Sequence, residues 1–301
     1  MRFLNKPEYL LRPGQIVSRM LLAGRPKAEY ADIRLPWNLV MRVRPSDAIG
    51  LSICTYGLYD LVTSESILRL LDPGETAVDI GANVGYITGL MAWRAGNAGR
   101  VICFEPCPTV FGELVRNLNR WEADARLARI TANELALSRI SGETDLHIPV
   151  SFDDNRGTAS LETHPSNGAS ATTTRVRVAR LDEALGAESE IGVLKIDVEG
   201  HELGVLEGAG SLLTRRRVRD IIFEEHGDYL TPAQDLLLSH GYTLYRLSRT
   251  FFRPTLNPAD DSRPADQHPV GVLANFLATL NPARAQSRFS SAGWKVLSGK
   301  H

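Results

Sequence analysis

Between residues 73 and 247 short apolar runs alternate with longer segments whose apolar positions recur at helical spacing. The runs predict strands over 76–81, 100–105, 129–137, 191–198, 220–226 and 242–247. The amphipathic segments predict helices over 86–95, 108–120, 201–213 and 232–240. Alternation of this kind implies an α/β fold, a mostly parallel sheet with helices on both faces. Upstream, 39–43 reads as extended and 59–71 as helical, and the region 36–66 is expected to cap a pocket before Pro73 and Gly74 punctuate the chain. From 142 to 180 the rhythm shifts to short β-rich pieces separated by polar loops, an insertion in which 172–178 alternates polar and apolar residues as a half-exposed strand does. Past Arg253 the chain is proline-rich and is expected to be irregular. The organisation expected is an N-terminal extension and cap over 1–72, a central domain over 73–282 and a loosely ordered tail over 283–301.

The densest chemistry lies in residues 77–86, AVDIGANVGY, where a buried strand runs through Asp79 into a turn with Gly81 and Gly85 and then a helix starting at Tyr86. The next strand ends in Glu105, 26 residues after Asp79, where a carboxylate can accept both ribose hydroxyls of a nucleoside. A pyrophosphate-binding turn needs a middle glycine, and this chain has Asn83 near that point, which disfavours a dinucleotide and hence a nicotinamide-dependent oxidoreductase.

A second cluster, VLKIDVEGHE over 193–202, runs a strand into Lys195, Asp197, Glu199 and His201 at the carboxyl edge, where open α/β sheets bind ligands. If the strand persists, Lys195, Asp197 and Glu199 share one side of it. Lys195 then either contacts an acceptor or neutralises a neighbouring carboxylate. The strand DIIFEEH over 220–226 brings Glu224, Glu225 and His226 to the same edge. His226 is the candidate base, with Asp197 or Glu199 orienting the acceptor. The same oxygens equally suit a magnesium-type ion, so both arrangements stay open. Lys195, His201, and Asn155 and Arg156 in the polar loop 151–160 are the acceptor-binding candidates, although such a loop also fits a merely solvated role.

Composition narrows the partners. A formal charge of −1 gives no electrostatic reason to expect nucleic acid. No run approaches the ~18 apolar residues of a membrane span. The first 27 residues carry six basic side chains against one acid, which fits peripheral contact with a membrane surface or packing on the domain or on a second subunit of a homodimer. Three cysteines, Cys54, Cys103 and Cys107, form neither a disulfide framework nor a metal pair and read as reduced thiols of a cytoplasmic protein.

Taken together, DIGANVGY from Asp79, FEPCP from Phe104, RLDEAL from Arg180, LKIDVEGHELGVLEGA from Leu194, IIFEEH from Ile221 and ANFLAT from Ala274 resemble the FkbM-type family of S-adenosylmethionine-dependent methyltransferases. The resemblance covers about 36–280 and implies a class I methyltransferase fold, Rossmann-like, with a seven-stranded sheet whose last strand is antiparallel. It implies S-adenosylmethionine as cofactor, with Asp79, Gly81, Asn83, Gly85 and Tyr86 near its methionine end, Glu105 at the ribose and Ala136, within 134–138, beside the adenine. By the same resemblance the reaction is O-methylation of a hydroxyl on a sugar, glycolipid or secondary-metabolite acceptor. N-methylation of a peptide and a non-catalytic, cofactor-binding partner protein are the alternatives.

Overall fold

The computed structural model describes residues 28–162, 172–186, 189–225, 229–260 and 274–298, together with Pro7. The basic N-terminal stretch and His226 lie outside the described residues, apart from Pro7. The chain opens with β1 (Ala31–Arg34) and β2 (Val40–Val43), an antiparallel pair, followed by helices α1 (Ala48–Tyr56) and α2 (Leu61–Leu70). Then come β3 (Thr76–Ile80), α3 (Tyr86–Ala95), β4 (Arg100–Phe104), α4 (Pro108–Trp121), β5 (Arg129–Asn133), β6 (Ala136–Leu137), β7 (Gly142–Ile148) and β8 (Thr172–Ala179). The second half holds α5 (Leu181–Leu185), β9 (Ile191–Ile196), α6 (Glu202–Gly208), α7 (Gly210–Thr214), β10 (Val218–Glu225), α8 (Pro232–Ser239), β11 (Thr243–Arg249), β12 (Pro254–Pro258), β13 (Ala274–Thr279), α9 (Pro282–Ser290) and α10 (Lys295–Ser298).

The main sheet has the order β12-β11-β13-β10-β9-β3-β4-β5. Strands β5, β4, β3, β9 and β10 run parallel, and β13 is antiparallel to both β10 and β11. The seven strands implied by the resemblance are therefore present, and β12 adds an eighth by pairing antiparallel with β11. Alternate residues of the central strands feed two cores on opposite faces, as period-2 geometry requires. Ala77, Val193, Ile222 and Leu277 enter one; Val78, Leu194, Ile221 and Phe276 enter the other. Because both faces are covered, these strands carry near-continuous apolar runs, which is why they were legible by pattern. Helix α4 shows the complementary periodicity, starting with Pro108 and burying Val110, Glu113, Leu114, Asn117 and Trp121 along one stripe.

Three expectations need correction. The single strand expected over 129–137 breaks after Asn133; β5 stays in the main sheet, while β6 joins β8 and β7 in a separate three-stranded sheet. The segment past Arg253 is not irregular, since it supplies β12 and β13. The tail expected to be loosely ordered instead forms α9 and α10, which bury Ala285, Phe289, Val296 and Leu297 in the core that also takes Trp37, Met41 and Ile53 from the N-terminal region.

The tail is held by an ion pair inside α2. Arg69 and Glu65 are both inaccessible to solvent and meet at 2.8 Å. Arg69 Nη1 donates to the carbonyls of Arg288 and Ser291, its Nη2 to that of Gly293, and Glu65 Oε2 accepts from Val296 N. Burying two charges is costly unless each is paired and hydrogen-bonded, and the tail's backbone supplies the remaining partners. We expect Arg69→Met, which leaves Glu65 buried without its partner, to lower the unfolding free energy in urea by about 3–5 kcal/mol. A loss of under about 1 kcal/mol, the range of an exposed pair, would contradict the clasp.

Candidate active site

The carboxyl ends of β3, β4, β9 and β10 open into one cavity, with α1, the start of α2 and the 151–160 loop above it. It encloses about 1330 Å³ counting its open mouth. One side of the floor is the turn after β3. Gly81 has φ +74, and a β-carbon there would collide with the carbonyl oxygen of Asp197, so only glycine lets the β3 and β9 turns touch. Asn83 occupies the left-handed region at φ 49, which asparagine tolerates better than most residues. Behind the turn, buried Asn117 donates to the carbonyls of Val84 and Arg42 at 2.9 and 3.0 Å and fixes the turn to α4 and β2.

Glu105 stands beside this turn, 7% exposed, with Oε2 accepting from Asn83 N at 3.0 Å and Oε1 from Cys107 N at 2.9 Å. Burial pushes its carboxyl up to about 7 despite those two amides. Each carboxylate oxygen keeps further acceptor capacity, which suits a pair of hydroxyl donors. Leu135, Ala136 and Leu137 form an apolar wall next to it.

A second group of lining residues is acidic: Asp197, Glu199, Glu224 and Asp60, with Tyr59 and Asn275. Glu199 at φ 53 and Asp60 at φ 38 are again left-handed non-glycine residues, so three of the cavity's polar residues sit in an uncommon backbone region. Asp60 caps α2 by accepting from Thr63 N at 3.1 Å, and its other oxygen accepts from Asn275 Nδ2 at 3.2 Å. Burial and then the charges of Asp197, Glu199, Glu202 and Asp60 push Glu224 up to about 8. Burial raises Glu202 to about 7 even though its carboxylate accepts from Val198 N and Gly200 N and so closes the 198–202 loop.

Gly81, Asn83, Tyr86, Glu105, Ala136, Asn155, Arg156, Lys195, Asp197, Glu199 and His201 are all brought to the cavity. Two expected residues stand behind its wall. Asp79 is fully buried, accepts from Thr88 Oγ1 at 2.6 Å and faces Lys195 at 3.6 Å. Gly85 abuts α4, where a β-carbon would lie 2.7 Å from Leu114 Cδ1, so it serves packing and the start of α3.

Lys195 lines the cavity and takes the neutralising position that its place on the strand also allowed. Its Nζ lies 2.9 Å from the Gly81 carbonyl, 3.2 Å from Asp197 and 3.6 Å from Asp79, so protein acceptors surround it. Burial alone would lower its pKa, but Asp197 and Asp79 hold the ammonium charged and raise it to about 12. The strand ends at Ile196, so Glu199 reaches the cavity through a turn instead of along an extended face. His201 is held at both ring nitrogens, 2.7 Å from Glu162 Oε1 and 2.9 Å from Ser138 Oγ. Arg156 bonds Glu113 and Asp153 and, through its backbone N, Asp47, while Asn155 Oδ1 accepts from Gly157 N. The 151–160 loop is thereby tied to the cap of α1. No three His, Cys, Asp or Glu side chains among the described residues are grouped to hold a metal ion, so the magnesium arrangement finds no ligand set.

Tyr59, Asp60 and Asn275 are cavity residues that the motif reading did not select, and Glu224, which it brought to this edge without a role, lines the cavity as well. Glu224 was accessible to it: Ile222 and Glu224 are two apart in β10 and therefore share a face. Asp60 carried only a weak signal, an aspartate at a helix start, because its reach to Asn275 spans 215 residues.

Residues 79–244 match the family described as "Methyltransferase FkbM domain". Among characterised proteins the chain is similar to the AMB antimetabolite synthetase AmbE of Pseudomonas aeruginosa, 28% identical over 58% of this chain and 10% of that one. It is also similar to the hexuronic acid methyltransferase AglP of Haloferax volcanii, 29% identical over 56% of this chain and 64% of that one. The 31-O-demethyl-FK506 methyltransferase FkbM of Streptomyces tacrolimicus is 27% identical over 58% of this chain and 75% of its own. The chain thus spans less than two thirds of the length of the first two.

The acid load has a consequence for stability. Glu105, Glu202 and Glu224 hold protons more tightly folded than unfolded. Their folded forms carry no ionisation penalty below the ordinary carboxyl range, and the penalty grows as pH rises through the interval from about 4.5 to about 8. The thermal midpoint of the ligand-free protein is expected to fall across that interval, and Glu105→Gln should flatten the fall. A midpoint that rises with pH would contradict the assignment.

Proposed function

Because the chain belongs to the FkbM family of methyltransferases, we propose that its cavity holds S-adenosylmethionine and serves methyl transfer to a hydroxyl of a sugar-type acceptor. The observation that carries this reading is one continuous cavity with carboxylates in two groups, at the first place Glu105, which accepts from Asn83 N of the glycine turn, and at the second Asp197, Glu199 and Glu224, whose charges act together. The residues at the first place fit the cofactor. Glu105, an acceptor fixed by two backbone amides, would hold the ribose hydroxyls. Leu135 and Ala136 would flank the adenine, and Gly81 and Asn83 the methionine end. When bound, the cofactor supplies an electrophilic methyl group on a sulfonium.

The chain's own work is positional. Displacement at a methyl carbon needs the attacking oxygen in line with the bond that breaks, and holding two reactants in that relation removes much of the barrier. Asp197 and Glu199 accept hydrogen bonds from a polyhydroxylated acceptor and so orient it, while the 151–160 loop, tied to Asp47 at the α1 cap, covers the cavity and limits water. The names of two similar proteins, one for a hexuronic acid and one for a 31-O-demethyl position, support a hydroxylated acceptor.

Calorimetric titration with S-adenosylmethionine is expected to give micromolar binding, and Glu105→Ala to weaken it roughly tenfold or more, the scale of a lost charge-assisted hydrogen-bond pair. Transfer of labelled methyl from the cofactor to members of a panel of methyl glycosides tests the acceptor class. A folded sample that binds no S-adenosylmethionine, or Glu105→Ala with unaltered affinity, would overturn the reading.

A further inference from the structure

Resting on the methyl-transfer reading, we infer that Glu224, at the cavity end of β10, is the residue that removes the proton of the acceptor hydroxyl. The placement is set by the sheet. In β10, Ile222 and Glu224 face the cavity, while Phe223 enters the core beneath and Glu225 accepts from Thr231 Oγ1 at 3.1 Å away from it. Glu224 pairs in register with Asn275 of β13, whose side chain lines the same cavity and is anchored to Asp60. A carboxylate on a rigid central strand, supported by the neighbouring strand, is better fixed for proton transfer than one on a turn.

The surroundings divide the labour among the acids. Lys195 sits 3.2 Å from Asp197 and pairs with it. Glu202 is committed to the amides of Val198 and Gly200. Asp60 is committed to Thr63 N and Asn275. The charged and titratable groups acting on Glu224 are Asp197 and Glu199 from beyond β9, Glu202 from α6 and Asp60 from before α2; Tyr59 and Lys195 feel its charge in turn. Burial and that negative surround raise Glu224 to about 8. A base is most useful when its affinity for the proton lies near working pH. In the step, the hydroxyl oxygen bonds to the methyl carbon as the carbon–sulfur bond breaks with its electron pair left on sulfur. The hydroxyl proton passes to the Glu224 carboxylate, which becomes the neutral acid and later releases the proton to solvent.

The test compares Glu224→Gln, Glu224→Asp, His226→Asn and, as a control outside the cavity, Glu225→Gln, each checked for folding and for S-adenosylmethionine binding by calorimetry. With a methyl glycoside that the wild type methylates, Glu224→Gln is expected to lower kcat by about 100-fold or more with cofactor affinity kept, and Glu224→Asp to restore part of it. The wild-type rate should rise with pH to a midpoint at or below about 8, since a cationic cofactor favours the ionised carboxylate. That rise should vanish in Glu224→Gln and persist in Glu225→Gln and His226→Asn. Retention of the rise in Glu224→Gln, or its loss in His226→Asn alone, would overturn the assignment. Carbon-13 NMR of glutamate-labelled protein reads the same group without any acceptor. One carboxyl titrating near 8 in the ligand-free wild type and missing in Glu224→Gln supports the assignment, and no such resonance overturns it. Loss of cofactor binding in the wild type would instead count against the methyl-transfer reading.

Discussion

Lys195 carries a positive charge at the centre of the sheet, and the cavity is arranged around keeping it there. An ammonium that is 6% exposed is tolerable only when its charge and its donors are met, and here the Gly81 carbonyl accepts a hydrogen bond while Asp197 and Asp79 supply opposite charge. Those contacts join the turn after β3 to the end of β9. The join is tightened by Asp197 N donating to the Ile80 carbonyl and by the bare backbone of Gly81 lying against Asp197. Gly81 N and Ala82 N both reach the Phe104 carbonyl, so β4 and therefore Glu105 are drawn into the same joint. Three strand ends are fixed relative to one another, and the cavity between them inherits that geometry.

Asp79 belongs to this joint more than to the cavity. Burial holds its carboxyl above the ordinary range even beside Lys195 and Thr88. The acidic position of the glycine-turn motif therefore works by holding Lys195 in place, and the second glycine by letting α4 approach. A motif records which residues a fold needs at a turn; it does not say which of them touch a ligand. Glu105 and Asn83, at the same edge, do line the cavity.

What the sequence revealed follows the same division. The central strands were legible because each is buried on both faces and reads as a continuous apolar run, as in IGVLKI of β9. Helices α3, α4 and α8 were legible by spacing, and in the structure α8 proves also to start on a capping box of Thr231 and Gln234. The tail was not, because α9 and α10 are ordered by Arg69 and Glu65, more than 200 residues away, and no local pattern encodes that distance. The same holds for the cavity. Lys195, Asp197 and Glu199 were visible as a charged strand end, but their spacing suggested one extended face, whereas the chain turns at Ile196 and Glu199 takes a left-handed conformation. Asp60 came from a different helix, and its place beside Asn275 is a fact of topology.

The cavity is also where the fold tolerates its least favourable features. Asp60, Asn83 and Glu199 occupy backbone conformations that non-glycine residues seldom adopt, and Glu105 and Glu224 are carboxyls held against their ionised forms. A ligand with hydroxyl donors for Glu105 and positive charge near the acidic group would relieve both carboxyls, which is the expected signature of a site built for its ligand at some expense in stability. A crystal structure of the protein with S-adenosylhomocysteine tests that account most directly. The ribose hydroxyls are predicted to lie within hydrogen-bond distance of Glu105, with the sulfur directed toward Asp197, Glu199 and Glu224. A nucleoside bound away from Glu105, or a sulfur facing away from the acidic group, would contradict it.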